Sequence, residues 1–249
     1  MAEKKDLKES KLFTPYKLND KVTLRNRTIR SAAFESMGKD FGPTQKLKDY
    51  HVSVAKGGVG MTTLAYASIN RSGVSFNSQL WLRDEIVPAL KDITDAIHAE
   101  GAAAGIQIGH CGNMTHWSTA GSFPVSASNG FNLYSPTFHR RMTHAEITET
   151  AKDFGRAVLT AHEAGFDSVE VHAGHGYLIS QFLSPWTNRR RDEFGGSLEN
   201  RMRFMKMCLE EIMEAAAKTG TSVLVKHNME DGFKSGIQIP ESIEIAKEI

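Results

Sequence analysis

Residues 168–203 read SVEVHAGHGYLISQFLSPWTNRRRDEFGGSLENRMR, and the organisation of the chain follows from them. Val169-Glu170-Val171 is a short β-branched run of the kind that forms a buried strand. His172, His175 and Tyr177 come directly after it in the pattern H-x-x-H-x-Y. A loop with Pro185, the basic run Arg189-Arg190-Arg191 and Gly195-Gly196 follows, and Ser197-Leu198 opens a helix. Proton-carrying side chains where a buried strand gives way to a loop mark a candidate site, because loops on a rigid scaffold carry chemistry. The H-x-x-H spacing alone fits a metal pair, but no third ligand such as a nearby Glu-x-x-His accompanies it. Two satisfied loop histidines would explain the spacing as well.

Strand and helix patterns alternate on both sides of this stretch. Residues 28–33 read as a first strand and 34–38 as its outgoing loop. Thr44 to Lys56 has helical spacing through Leu47, Tyr50 and Val54 and stops at Gly57-Gly58. Val59 to Ala65 is a second strand. Residues 84–100 carry Ile86, Leu90, Ile93 and Ile97 on one helical stripe. Ala102 to Gly109 is a third strand. The segment from Cys111 to Met142 has no clear period, so we expect a long active-site loop or lid there. Thr143-His-Ala-Glu146 is a capping box opening a helix with Ile147, Phe154, Val158 and Ala161 inward. The helix begun at Ser197 turns Phe204, Met205, Leu209, Ile212 and Met213 inward, as core filler. Ser222 to His227 is a fifth strand, and residues 240–249 start a fifth helix. Residues 1–27 form a charged lead-in that Phe13, Tyr16 and Leu18 can pack down.

Polar and aromatic residues recur where strands end: Phe34 and Glu35, Tyr66, Gln107 and His110, His172 and Tyr177, Lys226 and Asn228. Clustering on one face is what a (β/α) barrel produces. Such barrels run to about 250 residues with eight units, yet only five units can be counted. Either the barrel is truncated, the simpler reading, or two partial barrels complete one another. The 249 residues make one domain on this reading.

Composition narrows the partners. Thirty Lys and Arg against 29 Asp and Glu leave a formal charge of +1, with 40% hydrophobic residues. That is a globular composition with no electrostatic pull toward nucleic acid or an anionic membrane. The polar start MAEKKDLKES lacks a secretory pattern, and no segment could span a bilayer. Two cysteines, Cys111 and Cys208, are too few for a disulfide framework or a four-cysteine cluster. A cytoplasmic location is the simplest expectation.

The string HGYLISQFLSPWTNRRRDEFGGSLENR closely resembles the fourth-strand segment of the Old Yellow Enzyme family, FMN-dependent NAD(P)H:flavin oxidoreductases and ene-reductases. The resemblance spans residues 11–249. Asn26-Arg27 with Arg30-Ser31-Ala32 is similar to the family's first strand, and GGVGM with Leu64-Ala65-Tyr66 to the second. Gln107-Ile-Gly-His110-Cys-Gly112 is similar to the third, and Val225-Lys226-His-Asn-Met-Glu-Asp-Gly232 to the fifth. It implies an FMN-type (β/α)8 TIM barrel, here stopping after about five units, with FMN phosphate held by loops after strands seven and eight. NADH or NADPH would be the reductant, and relatives often self-associate.

Residue by residue, the resemblance places Ser31, Ala32, Ala33, Phe34, Ala65, Tyr66, Gln107, His172 and Lys226 at the flavin. A Gln that donates and accepts suits the flavin's pyrimidine edge. A cation near N1 and O2 answers the negative charge of the reduced ring. Lys226 stands where most of the family has Arg, which keeps the charge but loses the fork. His172 and His175 would polarise the carbonyl of an α,β-unsaturated substrate, flavin N5 would deliver hydride to the β-carbon, and Tyr177 would protonate the α-carbon. Glu35 and His110 would line the substrate pocket. Blander roles stay open: Gln107 bound to backbone, Lys226 in a rim ion pair, Tyr177 as a loop anchor, the three arginines as structural. The Thr or Cys that many relatives carry near Ala33-Phe34 is missing, and Asn113 replaces an Arg. An iron–sulfur-bearing branch shares the barrel motifs, but its cluster cysteines would lie beyond Ile249. The alternative function is a silent or partner-dependent fragment that does not retain FMN.

Overall fold

The computed structural model describes residues 10–249. The charged residues 1–9, on which the expectation of no leader partly rests, lie outside that range. The described chain begins with a hairpin, β1 (Tyr16–Lys17) against β2 (Thr23–Leu24), paired antiparallel. Val22 and Leu24 pack on Met61, with Leu18, Ala103 and Leu224 alongside. Met61 and Ala103 are the first residues of their strands, so the hairpin closes the N-terminal end of the sheet. Leu18 packs as expected, but Phe13 and Tyr16 stay half exposed. The hairpin reversal hands the inner face to Val22 and Leu24, and the Tyr16 ring lies beneath the Arg27 guanidinium instead.

Five parallel strands follow in sequence order. They are β3 (Ile29–Arg30), β4 (Met61–Ser68), β6 (Ala103–Gly109), β10 (Ser168–Ala173) and β11 (Ser222–His227). Neighbours in sequence are neighbours in the sheet, which curls as half of a barrel. The crossovers are α1 (Gln45–Lys56), α2 (Val87–Ala99), α4 (His144–Glu163) and α6 (Leu198–Thr219). Helix α7 (Ile239–Lys247) follows β11. The capping box at Thr143 and Glu146 forms, as do the expected stripes of α2 and α4. The core between strands and helices is continuous from Leu47 to Ile245.

Four departures from the sequence pattern have local causes. Strand β3 is two residues long, because the chain leaves the β4 edge after Arg30. There β5 (Leu80–Trp81) pairs with the far end of β4. On α1 the buried stripe is Leu47, His51 and Ala55, with Tyr50 and Val54 only half buried. On α6, Met213 is exposed while Ile212 is fully buried. Its face has turned past β11 onto a groove of about 920 Å³ beside that free edge, with Leu209, Val223 and Val225. Residues 111–142 are not an irregular lid. They hold α3 (Trp117–Ala120) and a small sheet of β7 (Val125–Ser126), β8 (Gly130–Asn132) and β9 (Thr137–Arg141).

Candidate active site

The C-terminal ends of the five strands converge on one constellation. Strand β4 contains a bulge: Leu64 pairs with Ile106 and Ala67 with Ile108, so Ala65 and Tyr66 together face Gln107. Bulges re-aim side chains next to active sites. Here the irregularity has an anchor, since the Ala65 N–H donates to Glu35 Oε2 at 3.1 Å. Glu35 also accepts from Arg30 at 2.5 Å and lies 3.2 Å from His51 Nε2. His51 Nδ1 in turn meets Thr62 Oγ1 at 2.7 Å. The Glu35 side chain is 3% exposed. Expected at the pocket wall, it instead fastens the β3 loop to α1 and the bulge.

On the other side of the bulge a polar network forms. Gln107 Nε2 donates to Glu170 Oε1 at 2.6 Å, and Lys226 Nζ lies 3.1 Å from the same oxygen. Lys226 also donates to Ser31 Oγ at 3.2 Å and to the Ala32 carbonyl at 2.9 Å. Gln107, Lys226, Ser31 and Ala32 are thus brought together, Lys226 reaching Ser31 and Ala32 and Glu170 joining Lys226 to Gln107. Ala65 and Tyr66 pack with Ala32 and Tyr177 beside them. Phe34 lies 6.2 Å from the Tyr66 ring and stacks on Phe76 at 5.1 Å, while Ala33 is exposed next to it.

Above this sits the H-x-x-H-x-Y loop. His172 is 3% exposed and His175 is exposed. His172 Nδ1 accepts from the Gly174 N–H at 3.4 Å, which puts its proton on Nε2. That Nε2 faces His175 Nδ1 at 3.3 Å. His175 holds a left-handed backbone conformation, φ 55°, and its N–H donates to Asn228 Oδ1 at 2.9 Å. The loop after β11 therefore fixes the second histidine in a conformation that few side chains adopt. Burial, then the neighbouring His175 and Lys226, push His172 down to about 3, so it is neutral near pH 7. Tyr177 stands 4.7 Å from the His172 ring and 5.1 Å from Tyr66. Burial raises its phenol above the ordinary range, and hydrogen bonding from Tyr66 and Ser75 pulls it partly back.

His110, also expected in the pocket, is buried with both ring nitrogens engaged. Nδ1 accepts from the Gly112 N–H at 3.0 Å and Nε2 meets Ser72 Oγ at 3.2 Å. Desolvation takes it down to about 4.

The sequence profile of the NADH:flavin oxidoreductase / NADH oxidase family matches residues 11–249. The chain belongs to this family. A 4,4'-dithiodibutanoate disulfide reductase of Rhodococcus erythropolis is 35% identical over 95% of the chain, and an NADPH dehydrogenase of Listeria welshimeri is 37% identical over 96%. Among solved structures, a 2-naphthoyl-CoA reductase superposes with TM-score 0.89 at 30% identity over 95% of the chain. An old yellow enzyme homologue from Zymomonas mobilis gives 0.86 at 26% over 96%. The chain spans 58% of the Rhodococcus protein, 69% of the Listeria protein, and 38% and 70% of the two structural neighbours.

FMN is the cofactor of the NADH:flavin oxidoreductase family, with NAD(P)H as reductant. The donor set fits its pyrimidine edge, where an N–H lies between carbonyl acceptors. Gln107 can give and take, Lys226 and Ser31 give, and Glu170 takes. Ala32 and Ala65 pack with Tyr66 as a small apolar cluster beside them.

Three contributors escape a reading by motif. Glu170 carries a signal, a lone carboxylate inside an apolar strand run. His51 shows only as the i+4 partner of Leu47. Gln181, on α5 (Leu178–Leu183), joins three loops. Its Nε2 donates to the carbonyls of Cys111 and Gly176 and to Asn113 Oδ1, and its Oε1 accepts from the Asn113 N–H and Ser126 Oγ. Of the three arginines, Arg190 is structural as expected. Its buried guanidinium pairs both oxygens of Asp192 and donates to the Ala127 and Met142 carbonyls.

Proposed function

We propose that the protein reduces the activated C=C bond of a small α,β-unsaturated carbonyl compound, using FMN and NAD(P)H. The observation that carries this reading is the pair of facing nitrogens, His172 Nε2 and His175 Nδ1, 3.3 Å apart beside Tyr177 and beyond the Gln107–Glu170–Lys226 network. An acceptor oxygen within hydrogen-bonding distance of both nitrogens sits at the apex between them. With the carbonyl oxygen between them, His172 Nε2–H and, in its Nδ1–H tautomer, His175 would both donate to that oxygen, withdrawing electrons from the conjugated bond and stabilising the enolate that develops. The chemistry that bound FMN would supply is hydride transfer from NAD(P)H to the substrate's β-carbon. Tyr177, its phenol kept protonated by burial, gives its proton to the α-carbon. Lys226 and Gln107 hold the pyrimidine edge and answer charge there.

The protein is read as cytoplasmic and self-associating. Cys111 and Cys208 are both free buried thiols, and the sheet has free edges at β3 and β11. Among the described residues no helix is long and apolar enough to cross a membrane.

The test is stopped-flow kinetics of FMN-loaded protein, wild type against Tyr177→Phe. Flavin reduction by NAD(P)H should be unchanged and reoxidation by an enone slower by about 10²- to 10⁴-fold, the usual worth of a general acid. Reoxidation at the wild-type rate in Tyr177→Phe would remove Tyr177 as the donor. A chain that stays colourless after incubation with FMN would favour the alternative of a silent fragment.

A further inference from the structure

Glu170 is the carboxylate in the middle of β10, and its place there follows from the strand's alternation. Val169 and Val171 turn into the core. Side chains two apart share a face, so Glu170 lies one layer beneath His172 on the opposite side of the strand. Register sets it beside Gln107 of β6, its Cα partner, and sets His172 beside Lys226 of β11. The Glu170 side chain is 14% exposed, and Gln107 is 3% exposed.

This neighbour decides which end of the Gln107 amide faces outward. The oxygen arm and the NH₂ arm of an amide are nearly equal in size, so packing alone does not choose between them. Glu170 is ion-paired to Lys226 at 3.1 Å, and a carboxylate so paired has lone pairs and no proton to give. It takes the Nε2 arm, at 2.6 Å. The Oε1 arm is left over: among the described residues it accepts nothing, yet it is not sealed in. With the amide reversed, Oε1 would meet a carboxylate oxygen with no proton between them, and a charge-assisted hydrogen bond would be lost.

We infer that Glu170 is a positioning residue for the cofactor. By claiming Nε2 it fixes Gln107 with its oxygen toward the flavin, so that Gln107 accepts from the pyrimidine N–H and does not donate to the carbonyls on either side. The inference rests on Gln107 standing at that edge, and Glu170 acts through it. Lys226 reaches the same Glu170 oxygen that holds Gln107, so one carboxylate spaces a donor and an acceptor along the edge. With Leu at position 170 the amide is free to turn its NH₂ outward, donor against donor, and the flavin N–H goes unpaired.

The amide can be read without flavin. With glutamine isotope-labelled and Gln107→Leu assigning its NMR signal, the unloaded protein should show one Gln107 side-chain amide proton downfield of ordinary side-chain amides and slow to exchange with solvent. Glu170→Leu should return it to the ordinary range. Two Gln107 amide protons at ordinary positions in wild type overturn the inference, and that reading needs no folded variant at position 170.

Affinity for oxidised FMN, followed by quenching of flavin fluorescence, is the second readout. Glu170→Leu should weaken it about tenfold, the worth of one hydrogen bond. Glu170→Gln keeps an oxygen for Nε2 and should bind within about threefold of wild type. In a Gln107→Leu background Glu170→Leu should add little, because the two residues act as a unit. Equal losses in Glu170→Gln and Glu170→Leu, or a loss that persists without Gln107, would show that Glu170 works through the charge of Lys226 and overturn the inference. If Gln107→Leu binds FMN as wild type does, or the chain takes up no FMN, the inference falls together with the cofactor reading. If Gln107→Leu binds weakly while Glu170→Leu binds as wild type does, the role of Glu170 alone is refuted.

Discussion

Mild acid should destabilise this protein through two histidines, before its carboxylates are affected. His172 is held down to about 3 and His110 to about 4, against an ordinary value of 6.5, in both cases chiefly by desolvation. The sign follows from linkage. Below pH 6.5 the unfolded chain protonates both rings and the folded chain neither, so stability falls as pH drops from 6.5 toward the folded values. Between pH 6.5 and 5 each ring contributes a loss of about 1.5 kcal/mol, roughly 3 kcal/mol together. His98 acts in the opposite direction. Its hydrogen bond to Asp167 raises it, so it adds stability as pH falls, but it is half solvated and offsets only a small part. Domains of this kind have about 5–15 kcal/mol in total, so the effect is a large fraction. Urea unfolding followed by tryptophan fluorescence at pH 7, 6 and 5 reads it directly. His110→Asn keeps an acceptor for the Gly112 N–H and does not titrate, so it should remove about half the slope. A wild-type free energy flat to within about 0.5 kcal/mol over this range would show that burial does not hold these rings neutral. So would a His110→Asn slope equal to that of wild type.

Gln181→Leu should destabilise by about 3 kcal/mol, because it leaves the buried Cys111 carbonyl and the partly buried Gly176 carbonyl without their donor. Hydrogen exchange should show the loss first at residues 174–177, and uniform loosening elsewhere would contradict it. In FMN-loaded protein, Glu170→Gln should raise the flavin midpoint potential by about 30 mV, roughly 1.4 kcal/mol for two electrons, since Lys226 loses its counter-charge. A potential unchanged or lowered in spectroelectrochemical titration would show that Lys226 is not directed at the flavin.

The fold was legible wherever burial is periodic or caps are local. Ile86, Leu90, Ile93 and Ile97 announce α2, the Thr143–Glu146 box announces α4, and all are found in those roles. The five-strand order follows from alternation alone. The family motif brought His172, His175 and Tyr177 together, and the strand-end positions brought Gln107 to Lys226. What stayed hidden depends on contacts far apart in sequence. The short sheet in residues 111–142 consists of strands of two to five residues, too short for a period to show. Met213 follows the helical stripe but faces the free edge, where no strand among the described residues covers it. Glu35 looked like a wall residue because it follows a strand. Its actual partners, Arg30, His51 and the Ala65 N–H, include two from other elements that sequence does not place beside it.

All eight residues of β4 are buried on both faces. A strand with one wet face cannot accept an extra residue without turning apolar side chains into water. In β4 either face is dry, so a single inserted residue exchanges inside for outside from that point on at no hydration cost. Removing Ala65 alone would restore the pairing with β6 and swap the parity of everything beyond it. Gain or loss of one codon here would thus redirect the strand's far end, Ala67 of the core included, while leaving its first half in place, which makes this position a point where the mouth of the barrel can be re-cut in one genetic step.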